Sequence, residues 1–131
     1  MVNPTPAGHR TIASRFDFET TLTTLRESIG AAEMMVLHEI DTQAIIARAG
    51  ISSGGLRQLL YFHPRFMKRV LDGNASAVIE APLKFVVREV DSGGVNVHFW
   101  QPTATFGRYA GLESLGAELE PIAEKIAATV A

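Results

Sequence analysis

The histidines are the side chains of this chain best suited to acid–base chemistry or metal binding near neutral pH. His38 and His98 lie in stretches that read as strands, and His63 lies where a strand passes into a helix. None of them shows the i, i+4 pairing of a helical zinc motif or another recognised ligand spacing. The sequence therefore predicts no metal and no cofactor, and a metal site would require the fold to bring histidines together.

The other common catalytic patterns are absent or incomplete. The chain has no cysteine, which excludes thiolate nucleophiles, disulfides and iron–sulfur clusters. The segment 52–55 (Ser-Ser-Gly-Gly) matches neither a nucleophile elbow nor a phosphate-binding loop, since it lacks the lysine and the following helix of such a loop. A small enzyme that uses His63 or His98 as general acid–base is the alternative to a non-catalytic binding protein.

The junction between His63 and Pro64 has a physical rationale as an anion site. Pro64 suits the first position of a helix, where its missing N–H would have had no partner anyway. The amides at a helix start point outward and favour an anion, and His63, Arg65 and Lys84 would add donors. We therefore expect a small anionic ligand at these three residues, with a solvated helix start as the alternative.

Composition and charge limit the class of protein. A chain of 131 residues with 47% hydrophobic residues is sufficient for one domain with its own core. The net charge of -2 provides no large basic field for nucleic acid or for an anionic membrane. Since the sequence shows neither a signal peptide nor a run of transmembrane length, we expect a cytoplasmic protein without nucleic-acid or membrane partners.

Residues 1–8 are predicted to be a flexible N-terminal lead, and residues 9–131 a single domain. Asp17 is placed to cap a helix whose apolar residues, from Phe18 to Ile29, recur at helical spacing. The first half of the domain is predicted to contain a strand at 9–16, this helix ending at Gly30, a strand at 34–40 and a short helix ending at Gly50.

The second half of the domain begins with an apolar central strand. A helix follows it, starting at Pro64 and closed by the turn at 72–74. The firmest prediction is a hairpin, because Asp91-Ser92-Gly93-Gly94 joins two apolar stretches, 83–90 and 95–101. The end of the chain is helical, and Pro121 predicts that this helix starts only a few residues before the proline.

A tight hairpin requires antiparallel neighbours, so the expected class is α+β, with a mostly antiparallel sheet and two long helices packed on one face. Strand alternation places Leu83, Phe85 and Val87 under the helices. Whether Leu60 or its neighbours Leu59 and Tyr61 join them is left open by the sequence.

The same alternation places Lys84, Arg88, His98 and Trp100 on the opposite face of the hairpin. A large aromatic residue among cations is typical of a contact surface. Arg88, His98 and Trp100 are therefore the candidate residues of a homodimer interface, with a partly buried surface aromatic as the alternative for Trp100.

Four segments, taken together, resemble a known family. They are His38–Asp41, Leu59–Pro64, Ala81–Lys84 and Phe99–Pro102. Over roughly residues 9–130, the chain resembles the bacterial and archaeal domain-of-unknown-function family number 302. The resemblance implies a small α+β domain with an antiparallel sheet, a topology similar to that of TATA-box-binding protein, and a tendency to form homodimers.

The resemblance implies no established activity. Together with the residues above, it leads us to expect a non-catalytic homodimeric module that binds a ligand or a partner. A small anion is the candidate ligand.

Overall fold

Five antiparallel strands form one sheet in the order β1-β5-β4-β3-β2. The computed structural model describes residues 4–131, so the first three residues of the predicted flexible lead lie outside the described residues. The strands are β1 (His9–Ser14), β2 (Met35–Asp41), β3 (Leu56–Phe62), β4 (Leu83–Glu89) and β5 (Val95–Trp100). The predicted α+β class with an antiparallel sheet is confirmed, as is the hairpin of β4 and β5.

Five α-helices and one 3-10 helix connect or flank these strands. They are α1 (Phe18–Ala31), α2 (Thr42–Ala47), α3 (Pro64–Asn74), the 3-10 helix Ala75–Glu80, α4 (Pro102–Phe106) and α5 (Glu113–Ala128). The long helices α1 and α5 contact each other, and α1 also packs on β2 and β4.

The start of α1 follows from local sequence signals. The Asp17 carboxylate accepts the Thr20 N–H at 2.8 Å, which satisfies one of the unpaired amides of the first turn. Leu22, Leu25 and Ile29 are fully buried, as their helical spacing predicts.

The C-terminal helix begins earlier than Pro121 predicts, and that prediction was wrong. The helix starts at Glu113 and contains the proline in its interior. Pro121 itself is exposed, whereas Leu115 and Leu119 before it and Ile126 after it are buried. Burial on both sides of the proline outweighs its cost of roughly 3 kcal/mol in a helix interior.

The 3-10 helix was missed because Asp72-Gly73-Asn74 reads as a stop signal. Gly73 instead provides close packing, since a Cβ at this position would lie 2.7 Å from Leu112 Cδ2. The backbone of Asn74 is extended, so α3 ends at this residue and the 3-10 helix that follows it runs to Glu80.

The core lies between the sheet and the long helices, with three aromatic rings at its centre. Phe85 is fully buried, stacks on Tyr61 at 5.0 Å and meets Phe99 edge-on at 5.2 Å between ring centroids. Leu59 and Tyr61 of the central strand are buried on this side. Leu60 consequently lies on the opposite face.

Strand β2 is an edge strand, and this position explains its exposure. Its apolar residues Met35 and Leu37 are nearly half exposed, because no strand in the described part of the chain pairs with the outer side of β2. Within residues 4–131, no helix has the length and apolar character needed to cross a bilayer.

Candidate functional site

The sheet has one face turned away from the helices, which we call the open face. Its residues alternate with core residues on all five strands, and each of them is at least partly exposed. They are His9, Thr11, Ala13, His38, Ile40, Leu56, Gln58, Leu60, Lys84, Val86, Arg88, Asn96, His98 and Trp100.

Acidic residues are segregated from the open face. The strand carboxylates Glu39, Asp41 and Glu89 all belong to the helix-facing set, and the open face defined above contains none. On the helix-facing side, Arg10 and Arg57 form ion pairs with carboxylates. The open face therefore carries cations without acids, although the whole chain has a net charge of -2.

The two open-face cations, Lys84 and Arg88, form no ion pair with a carboxylate in the described part of the chain. Lys84 Nζ donates a hydrogen bond to Gln58 Oε1 at 3.1 Å. Since a neutral amide leaves the lysine charge uncompensated, the potential near Lys84 attracts an anion.

A groove of about 550 Å³ adjoins the open face at the end where Lys84 and Trp100 lie. The 3-10 helix and α4 provide its walls. Its apolar lining includes Leu60, Ile79 and Trp100, and its polar lining includes Glu80, Lys84 and Arg108. The groove combines an apolar surface with a few polar groups, as small-molecule sites do.

Glu80 is held in place at one wall of the groove. Its Oε2 accepts hydrogen bonds from Arg108 Nη2 at 3.0 Å and from the Tyr109 hydroxyl at 2.6 Å. The hydrogen bond to Glu80 also raises the pKa of Tyr109. No hydrogen bond to Glu80 Oε1 occurs among residues 4–131, and this oxygen remains available as an acceptor.

Three aromatic side chains cluster on the open face beside the groove. His98 Nδ1 lies 3.0 Å from Thr11 Oγ1, the His9 and His98 rings are 5.4 Å apart, and His9 meets the edge of Trp100 at 5.5 Å. Burial lowers the pKa of His98, and the charges of Arg88 and His9 lower it further.

The three predicted anion-site residues contact different partners. His63 Nδ1 accepts the Arg65 N–H at 3.1 Å and so caps α3, a role usually taken by shorter polar side chains. The Arg65 guanidinium donates to the Glu33 carbonyl oxygen at 2.6 Å and lies over the Phe66 ring. Only Lys84 lines the groove, so His63 and Arg65 do not share a site with it in this arrangement.

The residues predicted for the dimer interface are brought together. Arg88, His98 and Trp100 all lie on the open face, and Trp100 is 44% exposed. Sequence reasoning missed His9, Glu80 and Arg108 as neighbours of this surface. No local signal identifies them, because they come from β1, the 3-10 helix and the segment after α4.

The histidines do not form a single centre. His38 on β2 is three strand spacings, roughly 14 Å, from the strand that carries His98. Across residues 4–131, no histidine is hydrogen-bonded to a carboxylate, and no group of three potential metal ligands occurs. The described geometry thus lacks the oriented histidine–carboxylate pair that acid–base catalysis commonly uses.

Comparisons with known proteins agree with this architecture. The model of the family described as "Domain of unknown function DUF302" matches residues 10–131. The chain is also similar to the crystal structure of an uncharacterized conserved DUF302 protein from Bacillus stearothermophilus, with a TM-score of 0.82 and 23% identity, over 95% of this chain and 97% of the other. A search of curated proteins gave no match. Because the family match spans nearly the whole chain, the protein belongs to the DUF302 family, whose function is not established.

Proposed function

We propose that this protein is a non-catalytic binding module that receives a small organic anion in the groove beside Trp100. The observation that carries this proposal is the segregation of charge. Among residues 4–131, Lys84 has no carboxylate partner; it lines the groove and lies on a sheet face without acidic residues. The carboxylate of Glu80, which lines the same groove, is paired with Arg108, so the charge of Lys84 is left to attract an anion.

The dimensions and lining of the groove favour an organic ligand over a simple inorganic ion. A volume of about 550 Å³ lies within the range of small-molecule sites, roughly 300–1,000 Å³. The exposed ring of Trp100, together with Leu60 and Ile79, offers apolar surface that an inorganic anion would leave in water. The proposed ligand therefore has an apolar body and one anionic group.

Removing the Lys84 charge tests the proposal. We expect Lys84→Ala to weaken the binding of 3-phenylpropionate by about tenfold, because a hydrogen bond to a charged group is worth roughly 1.5–3 kcal/mol. The fluorescence of Trp100, the only tryptophan of the chain, reports occupancy of the groove directly.

Lys68→Ala is the matched control, since Lys68 is an exposed lysine on α3 that pairs with Asp72 away from the groove. The variant His63→Ala distinguishes ligand binding in the groove from ligand binding at the start of α3. Equal affinities in wild type and Lys84→Ala would contradict the proposal, and a loss confined to His63→Ala would move the site to the helix start.

We also propose that two copies of this cytoplasmic module associate through the open face around Trp100. An exposed tryptophan with a polar and cationic surround has the composition of an interface anchor. Arg88 and His98 lie along the face away from Lys84, and Trp100 borders both the groove and this region. Because the face carries cations without acids, a symmetric contact brings like charges together, and screening by salt should strengthen it.

Trp100→Glu is expected to convert the dimer into a monomer, because it replaces an apolar anchor with a charged group that must be desolvated. Sedimentation velocity at low and moderate salt measures the change. Leu37→Glu on the β2 edge, where the leucine is 47% exposed, is the control. A dimer that survives Trp100→Glu but is lost in Leu37→Glu would place the interface at the sheet edge instead.

A further inference from the structure

Resting on the function proposed above, we infer that the organic anion in the groove also carries a hydroxyl or ammonium group that donates a hydrogen bond to Glu80 Oε1. The ligand class is then a hydroxy acid or an amino acid with an apolar body. Two polar groups of opposite charge, Lys84 and Glu80, line the same groove and define this pair of requirements.

The orientation of Glu80 carries the inference. Both hydrogen bonds to its carboxylate, from Arg108 and Tyr109, reach the same oxygen, Oε2. The side chain is 21% exposed, so it is largely held in protein surroundings while it lines the groove. A carboxylate fixed by two donors loses little freedom on accepting a third, which makes it an efficient recognition group.

Glu80 also discriminates against ligands without a donor. An anion that fills the groove with apolar groups alone would cover a carboxylate oxygen and leave it without a partner, which costs free energy. A donor on the ligand replaces the water that this oxygen loses. Selectivity for hydroxylated or amino-substituted anions follows from that difference.

The test compares two probes that differ by one hydroxyl, 3-phenyllactate and 3-phenylpropionate, by quenching of Trp100 fluorescence. In the wild-type protein we expect 3-phenyllactate to bind about tenfold more tightly. Glu80→Ala should reduce this preference to less than twofold. Tyr109→Phe removes one support of Glu80 but keeps the carboxylate, so it should retain most of the preference.

Glu27→Ala on α1 is the charge-matched control and should behave as wild type. Thermal melts establish that each variant is folded. If Glu80→Ala does not fold, Glu80→Gln replaces it, because glutamine keeps the side-chain shape. Glu80→Gln should reduce the preference for 3-phenyllactate, because a neutral acceptor is weaker than a charged one. Equal affinities of the two probes for the wild type, or an unchanged preference in the Glu80 variant, would overturn this inference while leaving anion binding intact. If neither probe binds, the proposed function fails and this inference fails with it.

Discussion

Glu39→Gln is expected to lower the free energy of unfolding by about 3 kcal/mol at pH 7. The side chain of Glu39 is 24% exposed, and its carboxylate accepts hydrogen bonds from Arg26 Nε and Nη2, each at 2.8 Å, and from Arg57 Nη1 at 2.6 Å. Hydrogen bonds from Arg26, aided by those from Arg57 and by both charges, lower the pKa of Glu39 to about 2 against a partial opposing effect of burial. Glutamine carries no charge to compensate Arg26, and it leaves Arg57 with only its longer ion pair to Asp41 at 3.4 Å.

The pH dependence gives this prediction a second readout. The pKa of Glu39 in the folded protein lies below its ordinary value of 4.5, so the unfolded chain binds more protons in this range. The stabilisation is therefore fully present above about pH 5 and is lost as the pH falls towards 2. Urea denaturation at pH 7, 4 and 2.5 should show that the difference in unfolding free energy between wild type and Glu39→Gln becomes smaller as the pH falls.

Glu27→Gln provides the control for Glu39→Gln, because Glu27 is an exposed glutamate of α1, the helix that carries Arg26. We expect it to change the free energy of unfolding by less than about 0.5 kcal/mol. A Glu39 variant that is as stable as this control, or whose deficit does not depend on pH, would show that the cluster of Glu39, Arg26 and Arg57 does not stabilise the fold.

Phe85→Ala is expected to lower the free energy of unfolding by about 4 kcal/mol, within the usual range for a fully buried phenylalanine. Phe85 contacts the rings of both Tyr61 and Phe99 from the centre of the sheet. Its truncation leaves a cavity under β4, where neighbouring strands are fixed by their hydrogen bonds and cannot close around it.

Chemical denaturation measures this effect, and two variants calibrate it. Phe85→Leu should cost about 1–2 kcal/mol because most of the volume is retained. Ile79→Ala, at a highly exposed position on the 3-10 helix, should leave stability nearly unchanged. Similar losses for Phe85→Ala and Ile79→Ala would contradict the central position of the ring stack.

Local signals predicted the elements well where one interaction within a few residues decides the conformation. Asp17 caps α1 through an amide three residues away, and the turn at 91–94 joins β4 to β5. The prediction from Pro121 failed for the opposite reason. A local rule limited the helix to a few residues before the proline, but apolar residues several turns apart gain more by packing together against distant parts of the chain.

The residues of the candidate site also fall into those that a local rule predicted and those that it could not predict. Lys84, Arg88 and Trp100 were placed on one face by strand alternation alone, because a period of two follows from the backbone geometry of any strand. Glu80 and Arg108 reach the groove from elements with no such regularity, and His9 reaches His98 only through the pairing of the first strand with the last. The family resemblance found in the sequence is confirmed by the match over residues 10–131.

The sequence by itself determined the α+β class, the hairpin, the family, and the alternation that sets cations apart from core residues on β4 and β5. Only the tertiary structure decided the strand order, the absence of acidic residues from the whole open face, and the groove that joins Lys84 to Glu80. The reason is physical: alternation and capping depend on neighbours along the backbone. A binding surface depends instead on which distant segments the packing of the core brings side by side.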